Sequence, residues 1–156
     1  MKHLKALLYA TLIGFSGCFL FEPFGGLDAV MNSTSAPWSV SVAFTDGKSR
    51  TFQIPPEIYT PFSRMAKREP MPLLATITTR AGAGEVYSLT RVDVEALRKA
   101  ANGKVRLILY EDGIACMPPG WIAPDSENRK YFEWLRTNKH EWLKWTKEVL
   151  AQTGRG

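Results

Sequence analysis

The chain has 156 residues and a net charge of +5, and 45% of its residues are hydrophobic and 22% charged. This length and composition are typical of one globular domain and exclude a disordered chain. Its 2 cysteines and 2 histidines are too few for a disulfide scaffold or a typical zinc site. We therefore predict no metal and no cofactor, and the modest charge disfavours nucleic acid as a partner.

The first residues have the pattern of an export signal. Lys2 and Lys5 form a basic head, an uncharged apolar run extends from Ala6 to Gly17, and Cys18 follows it. An uncleaved membrane span is the main alternative, although the run from Ala6 to Phe21 is shorter than the ~20 residues that a spanning helix needs. Cleavage further downstream, which would release a soluble protein, is a second alternative. All of these readings predict a chain that leaves the cytoplasm.

The end of this signal carries a more specific pattern. The sequence Phe15-Ser16-Gly17-Cys18 resembles the lipobox of bacterial lipoproteins, which are acylated at the cysteine. The resemblance covers residues 1–18. It implies that residues 1–17 are a signal peptide and that Cys18 becomes a lipidated N-terminus, carrying palmitate, in the cell envelope. Phe19 stands where an aspartate would mark retention in the inner membrane, so the outer membrane, facing the periplasm, is favoured.

Residues 18–37 are predicted to be the lipidated N-terminus and a tether. Gly25-Gly26 and the polar run Asn32-Ser33-Thr34-Ser35 dilute the apolar residues of this stretch. A single globular domain is then expected over residues 38–156. Asn32-Ser33-Thr34 also matches an N-glycosylation acceptor, which would matter only in a eukaryotic secreted protein.

Five short strands are predicted in the domain. The first has strict alternation of apolar and small polar residues from Trp38 to Phe44, and Asp46-Gly47 is typical of a hairpin turn after it. β-Branched residues or turn signals mark the others, which are Arg50 to Ile54, Leu73 to Thr79, Glu85 to Leu89 and Val105 to Tyr110.

Two helices are predicted. Thr90 with Asp93 gives an N-cap for a middle helix that ends at Asn102-Gly103. From Arg129 to Gln152 the apolar residues fall in half of a helical wheel, which predicts one continuous amphipathic helix of about 25 residues. The expected fold class is α+β. It consists of a mostly antiparallel sheet of about five strands, the middle helix, and a long C-terminal helix covering one face.

The search for catalytic residues gives no motif. Cys116 and His140 could pair as nucleophile and base, and Glu111 with Asp112 could form a pair of working carboxylates, but no orienting group or signature accompanies either pair. We therefore predict that the protein is not an enzyme. A tethered periplasmic enzyme that uses Cys116 or Glu111 and Asp112 remains the alternative.

Two segments are candidates for contact with a partner. One of them is a loop that contains Pro118, Pro119 and Trp121. Its prolines reduce the conformational entropy that the loop loses on binding, and tryptophan is a common interface anchor. The other interpretation is that Trp121 folds inward and caps the sheet edge. The C-terminal helix carries three tryptophans on its apolar side and basic residues opposite, so it either packs on the sheet or lies in an anionic membrane surface.

Together these observations predict a membrane-anchored envelope lipoprotein that binds a protein partner and does no chemistry. It would be part of an envelope complex or an immunity or inhibitor-type protein. The alternatives are the tethered enzyme and a single-pass, N-terminally anchored protein with a membrane-surface-binding helix.

Overall fold

A computed structural model of the chain describes residues 27–62, 74–82, 84–125 and 129–154. The predicted signal peptide and Cys18 lie outside the described residues. Within these ranges the chain forms eight strands and three helices. In order they are β1 (Leu27–Asn32), β2 (Trp38–Phe44), β3 (Ser49–Ile54), β4 (Ile58–Pro61), β5 (Leu74–Ala81), β6 (Val86–Thr90), α1 (Arg91–Ala100), β7 (Val105–Tyr110), β8 (Gly113–Cys116), α2 (Arg129–Thr137) and α3 (Lys139–Ala151).

The strands form two four-stranded sheets. Sheet 1 has the order β4-β1-β7-β8 and sheet 2 the order β3-β2-β5-β6. All neighbouring strands are antiparallel except β1 and β7, which are parallel. The predicted α+β class with mostly antiparallel pairing is confirmed. The predicted number of about five strands is wrong, because the described chain contains eight, and β1, β4 and β8 were missed.

Strand β1 corrects the predicted tether. Leu27–Asn32 lies inside sheet 1, between β4 and β7, and all its residues except Asp28 are buried. Residues 27–37 therefore belong to the folded domain and not to a linker after Cys18. A strand that is covered on both faces shows no apolar–polar alternation, so its sequence lacks the signal that marked β2.

The two other missed strands are short and follow turns. Glu57, with a φ of 51°, turns the chain from β3 into β4, directly after Pro55-Pro56. Glu111 and Asp112 form a two-residue turn between β7 and β8, with Tyr110 paired to Gly113. Four residues are too few for a periodic pattern to develop, so the sequence shows only the turns.

The described residues form two hydrophobic cores, one on each face of sheet 1. The first lies between the sheets, is completed by α1 and the end of α3, and includes Val30, Trp38, Val40, Ile77, Leu97, Leu107 and Val149. The second lies between sheet 1 and the C-terminal helices and includes Met31, Ile108, Tyr110, Phe132, Leu135 and Trp142. The prediction that the C-terminal segment covers one face of a sheet is confirmed.

That segment is two helices, and the prediction of one continuous helix is wrong. Helix α2 ends at Thr137 and α3 begins at Lys139. The Tyr110 hydroxyl donates to the Leu135 carbonyl at 2.7 Å, and the Asn138 side-chain amide donates to the Trp134 carbonyl at 2.8 Å, so side chains bond to backbone carbonyls where α2 ends. Helical periodicity in the sequence does not record such contacts. Among the described helices, none combines the length and the apolar content that crossing a membrane requires.

The predicted cap of the middle helix is confirmed. Thr90 and Asp93 form a reciprocal capping box at the start of α1, with the Thr90 N–H donating to Asp93 at 2.7 Å. The Thr153 hydroxyl, just after α3, donates to the other carboxylate oxygen at 3.2 Å. This one carboxylate therefore also links α1 to the end of the C-terminal segment.

Asn32 lies at the end of β1 and is fully buried. Its side-chain amide donates to the carbonyls of Ala36 at 2.8 Å, Ile54 at 3.0 Å and Pro55 at 3.1 Å. Its side-chain oxygen accepts from the Thr34 N–H at 3.0 Å and from the Thr34 hydroxyl at 2.8 Å. The glycosylation match at this asparagine therefore falls on a saturated, inaccessible side chain.

The next two residues extend this buried turn to other elements. The Ser33 hydroxyl donates to the Leu109 carbonyl on β7 at 2.7 Å. The Trp38 indole N–H, on β2, donates to the Thr34 hydroxyl at 3.1 Å, and Arg136 of α2 donates to the Ser33 carbonyl at 3.2 Å. We call Asn32–Thr34 the polar turn, and it joins both sheets to α2.

Replacing Asn32 by alanine should lower the free energy of unfolding by about 1–3 kcal/mol, because buried carbonyls lose their donor. Urea denaturation of the purified chain measures this. Ser35→Ala is the control, since Ser35 is exposed in the same turn, and it should stay within about 0.5 kcal/mol of the unchanged chain. Equal stability of the two variants would contradict this role of the asparagine.

Candidate partner-binding groove

The loop after β8 is set by its prolines and a glycine. The Met117 N–H still donates to the Arg106 carbonyl at 3.0 Å, which prolongs the β7–β8 pairing by one residue. Pro118 and Pro119 have no N–H to continue the ladder. Gly120 then has a φ of 85°, a conformation that favours glycine, and the chain turns away from the sheet.

A second loop faces this one. It joins α1 to β7 and contains Asn102 and Gly103, whose φ values of 53° and 86° are both left-handed. The Gly103 N–H donates to the Arg98 carbonyl at 2.8 Å, which closes the end of α1 as the Asn-Gly signal predicted. The turn places Lys104 at the start of β7.

Between the two loops lies a groove of about 360 Å³. Its wall from the α1–β7 side consists of Ala101, Asn102, Lys104 and Arg106, and its wall from the β8 side of Met117, Pro118, Pro119, Gly120 and Trp121. The structure thus brings the predicted partner-binding residues Pro118, Pro119 and Trp121 together along one surface. The contribution of the α1–β7 loop was not predicted, because no local pattern links residues so far apart in sequence.

The charged residues of the groove are cationic. Arg106 forms an ion pair with Asp28 at 3.2 Å, and both side chains are about one-third exposed. Lys104 is exposed and has no ion-pair partner among the residues that the structure describes. None of the residues that line the groove carries a carboxylate. Lys104 is therefore the uncompensated charge of the described groove lining.

Trp121 serves as both wall and cap. It is half-buried, and its ring stands edge-to-face against Trp142 at a centroid distance of 5.4 Å and against Trp134 at 6.3 Å. Trp121 was predicted either to contact a partner or to fold inward. It packs against the second core and also lines the groove.

Ile122, the next residue, is 92% exposed. Ile122 was not among the predicted partner-binding residues, because a single apolar residue in a loop has no periodic neighbours. Its position next to Trp121 is the one feature of the sequence that could have pointed to it. It is a large apolar side chain that faces solvent directly after Trp121 in the chain.

Cys116 does not have the environment of a nucleophile. Its side chain is fully buried in the core between the sheets, and burial raises the pKa of the thiol to about 12. Its N–H donates to the Thr146 hydroxyl at 2.8 Å. His140, the predicted base, is exposed on α3. A reactive cysteine needs a lowered pKa and access to solvent, and Cys116 has neither.

Glu111 and Asp112 are exposed at the turn between β7 and β8. Asp112 forms an ion pair with Lys139 at 2.7 Å, and this contact holds the pKa of the carboxyl below its ordinary value. A general acid needs the opposite shift. Among the described residues, no group of His, Cys, Asp and Glu side chains is arranged to hold a metal ion.

The Cys116 thiol should resist labelling in the folded chain. In the Cys18→Ser chain, Cys116 is the only cysteine, and Ellman's reagent near pH 8 should react with it slowly until urea unfolds the protein. An added Ile122→Cys substitution is the control and should be labelled at once. Fast labelling of folded Cys116 would contradict the burial of its thiol.

The stability of the folded chain should also depend on pH through this thiol. Burial raises the pKa of Cys116 to about 12, against an ordinary 9.0. The unfolded chain therefore ionises first, and the free energy of unfolding should fall as the pH rises above 9.

Comparisons of the chain with models of protein families, with curated proteins and with solved structures gave no match.

Proposed function

We propose that the protein is a lipid-anchored component of a bacterial cell envelope that binds another protein and catalyses no reaction. The observation that carries the proposal is the sequence Phe15-Ser16-Gly17-Cys18 at the end of a basic and apolar signal. The anchor would hold the domain on the periplasmic side, with the outer membrane favoured over the inner. The partner would be an envelope assembly or a toxin that the protein neutralises.

The groove supports binding over catalysis. It offers an open surface with an exposed cation at Lys104 and a tryptophan wall at Trp121, and Ile122, the next residue in the chain, is 92% exposed. These are features of interaction surfaces, in which rigid aromatic residues and exposed apolar side chains supply binding energy. Neither set of residues proposed for the tethered enzyme shares these features, since Cys116 is buried and Asp112 is held in an ion pair.

The packing of the C-terminal helices counts against a membrane-surface role for their apolar side. Trp142 is fully buried, and Trp134 and Trp145 are half-buried against the two cores. A helix that lies in a lipid interface has to present its apolar face to the lipid. Here that face packs on sheet 1 and on the neighbouring aromatic rings.

The anchor is tested by metabolic labelling with a palmitate analogue in a bacterial host. The full chain should incorporate the label and fractionate with membranes, whereas Cys18→Ser should lose both properties. Cys116→Ala is the matched control, because it removes the buried thiol and leaves the proposed acylation site. Unchanged labelling and fractionation of Cys18→Ser would rule out the lipoprotein assignment.

Binding is tested by photocrosslinking in the cells that make the protein. A photoreactive amino acid at Ile122 should give a discrete crosslinked product of defined mass. The same group at Val92, which is 62% exposed on α1 and lies outside the groove, is the control and should not give that product. Identical products from both positions, or none from Ile122, would count against a specific partner at this surface.

A further inference from the structure

We propose that Asn102, in the loop that joins α1 to β7, is a site of spontaneous deamidation, and that opening of the last turn of α1 sets its rate. The product carries a carboxylate two residues before Lys104. This inference concerns the chemistry of the chain itself and does not depend on the proposed binding function.

The reaction uses the asparagine side chain, the backbone nitrogen of the next residue, and water. The Gly103 nitrogen loses its proton to hydroxide and attacks the Cγ of Asn102. A C–N bond forms, the bond from Cγ to Nδ2 breaks, and the amide nitrogen takes a proton from water and leaves as ammonia, which restores the hydroxide. Water then opens the five-membered imide at either carbonyl and gives aspartate or isoaspartate. No atom is oxidised or reduced.

The residue that follows an asparagine decides how readily the ring closes, because its side chain crowds the attacking nitrogen. Glycine follows Asn102, whereas serine, arginine and lysine follow the other asparagines of the chain. Glycine has no Cβ to crowd the nitrogen. The site is also open, since both residues are exposed and a Cβ added to Gly103 would meet no atom within 4 Å. Hydroxide and water can therefore reach the reacting atoms.

The other described asparagines lack this environment. Asn32 is fully buried, and its amide donates to three backbone carbonyls. The amide of Asn138 donates to a backbone carbonyl at 2.8 Å between α2 and α3. Asp46 and Asp112 also precede glycines, but ring closure at an aspartate releases no ammonia and leaves the charge unchanged. A gain of negative charge is therefore expected at Asn102.

The folded turn restrains the reaction through one hydrogen bond. The Gly103 N–H donates to the Arg98 carbonyl at 2.8 Å, so the attacking nitrogen is engaged while α1 keeps its last turn. Attack therefore starts from molecules in which this end of the helix has opened. The observed rate should follow the equilibrium for that local opening.

The product changes the surface of the groove. Asn102 belongs to the lining, which contains the cations Lys104 and Arg106 and no carboxylate. A carboxylate at position 102 lowers the net positive charge of this lining. Aspartate tolerates the left-handed φ of 53° at this position and keeps the turn. Isoaspartate adds a methylene group to the backbone between α1 and β7, which changes the spacing on which the hydrogen bond at the helix end depends.

The site is tested by incubating the purified full chain, in detergent, in a mildly alkaline buffer and following its proteolytic peptides by mass spectrometry. The peptide with Asn102 should convert to aspartate and isoaspartate forms faster than the peptides with the other asparagines. Asn102→Asp provides the reference for the aspartate product. Asn102→Gln, whose longer side chain would have to close a less favourable six-membered ring, is the control and should stay unconverted. No conversion at Asn102 in the folded chain, or equal conversion at the other asparagines, would overturn the assignment.

A matched pair of variants tests the role of α1. Lys99 is exposed in the last turn of the helix. Lys99→Gly and Lys99→Ala remove the same charge, but glycine disfavours a helix relative to alanine, so Lys99→Gly should deamidate roughly fivefold faster. The chain unfolded in urea should react faster than either variant. Equal rates in the two variants, or a folded chain that reacts as fast as the unfolded one, would show that the helix end does not control the reaction.

Discussion

The polar turn at Asn32–Thr34 is the constraint on which the rest of the structure depends. It sits where β1 ends, and its hydrogen bonds reach Ile54 on β3, Leu109 on β7, Trp38 on β2 and Arg136 on α2. Buried polar groups are costly unless each finds a partner, so this network is satisfied only when both sheets and α2 hold one relative position. The hydrophobic cores supply most of the driving force for folding, but they are less directional than these bonds.

The sequence predicts elements whose signal is local and periodic. The alternation from Trp38 to Phe44 identifies β2, and Thr90 with Asp93 identifies the start of α1. Prediction from the sequence fails for the strand Leu27–Asn32, because a strand covered on both faces has no alternation of apolar and polar residues. The neighbouring Asn-Ser-Thr run also resembles a linker in composition. The same run is buried once its hydrogen-bond partners, which are distant in sequence, surround it. The break at Asn138 was missed for a similar reason, since the Tyr110 hydroxyl that bonds to the Leu135 carbonyl just before the break comes from another element.

The candidate site divides in the same way. Pro118, Pro119 and Trp121 are adjacent in sequence and were found from their composition. Lys104 and Arg106 reach the groove only because β7 and β8 form a hairpin and α1 ends in a left-handed turn. The ring of Trp121 contacts Trp134 and Trp142, whose ring centroids are 4.9 Å apart across the break between α2 and α3. The helix break that the sequence did not predict therefore lies beside the wall of the groove that it did predict.

The position of β1 also limits how far the domain can travel. With the first strand beginning at Leu27, only a few residues separate it from Cys18, and a fully stretched chain of that length spans about 30 Å. If Cys18 is acylated as proposed, the domain stays within roughly its own diameter of the lipid headgroups. So short a connecting segment would prevent the domain from crossing the periplasm and would concentrate it in a thin layer at the bilayer surface. Any partner would then have to be met within that layer.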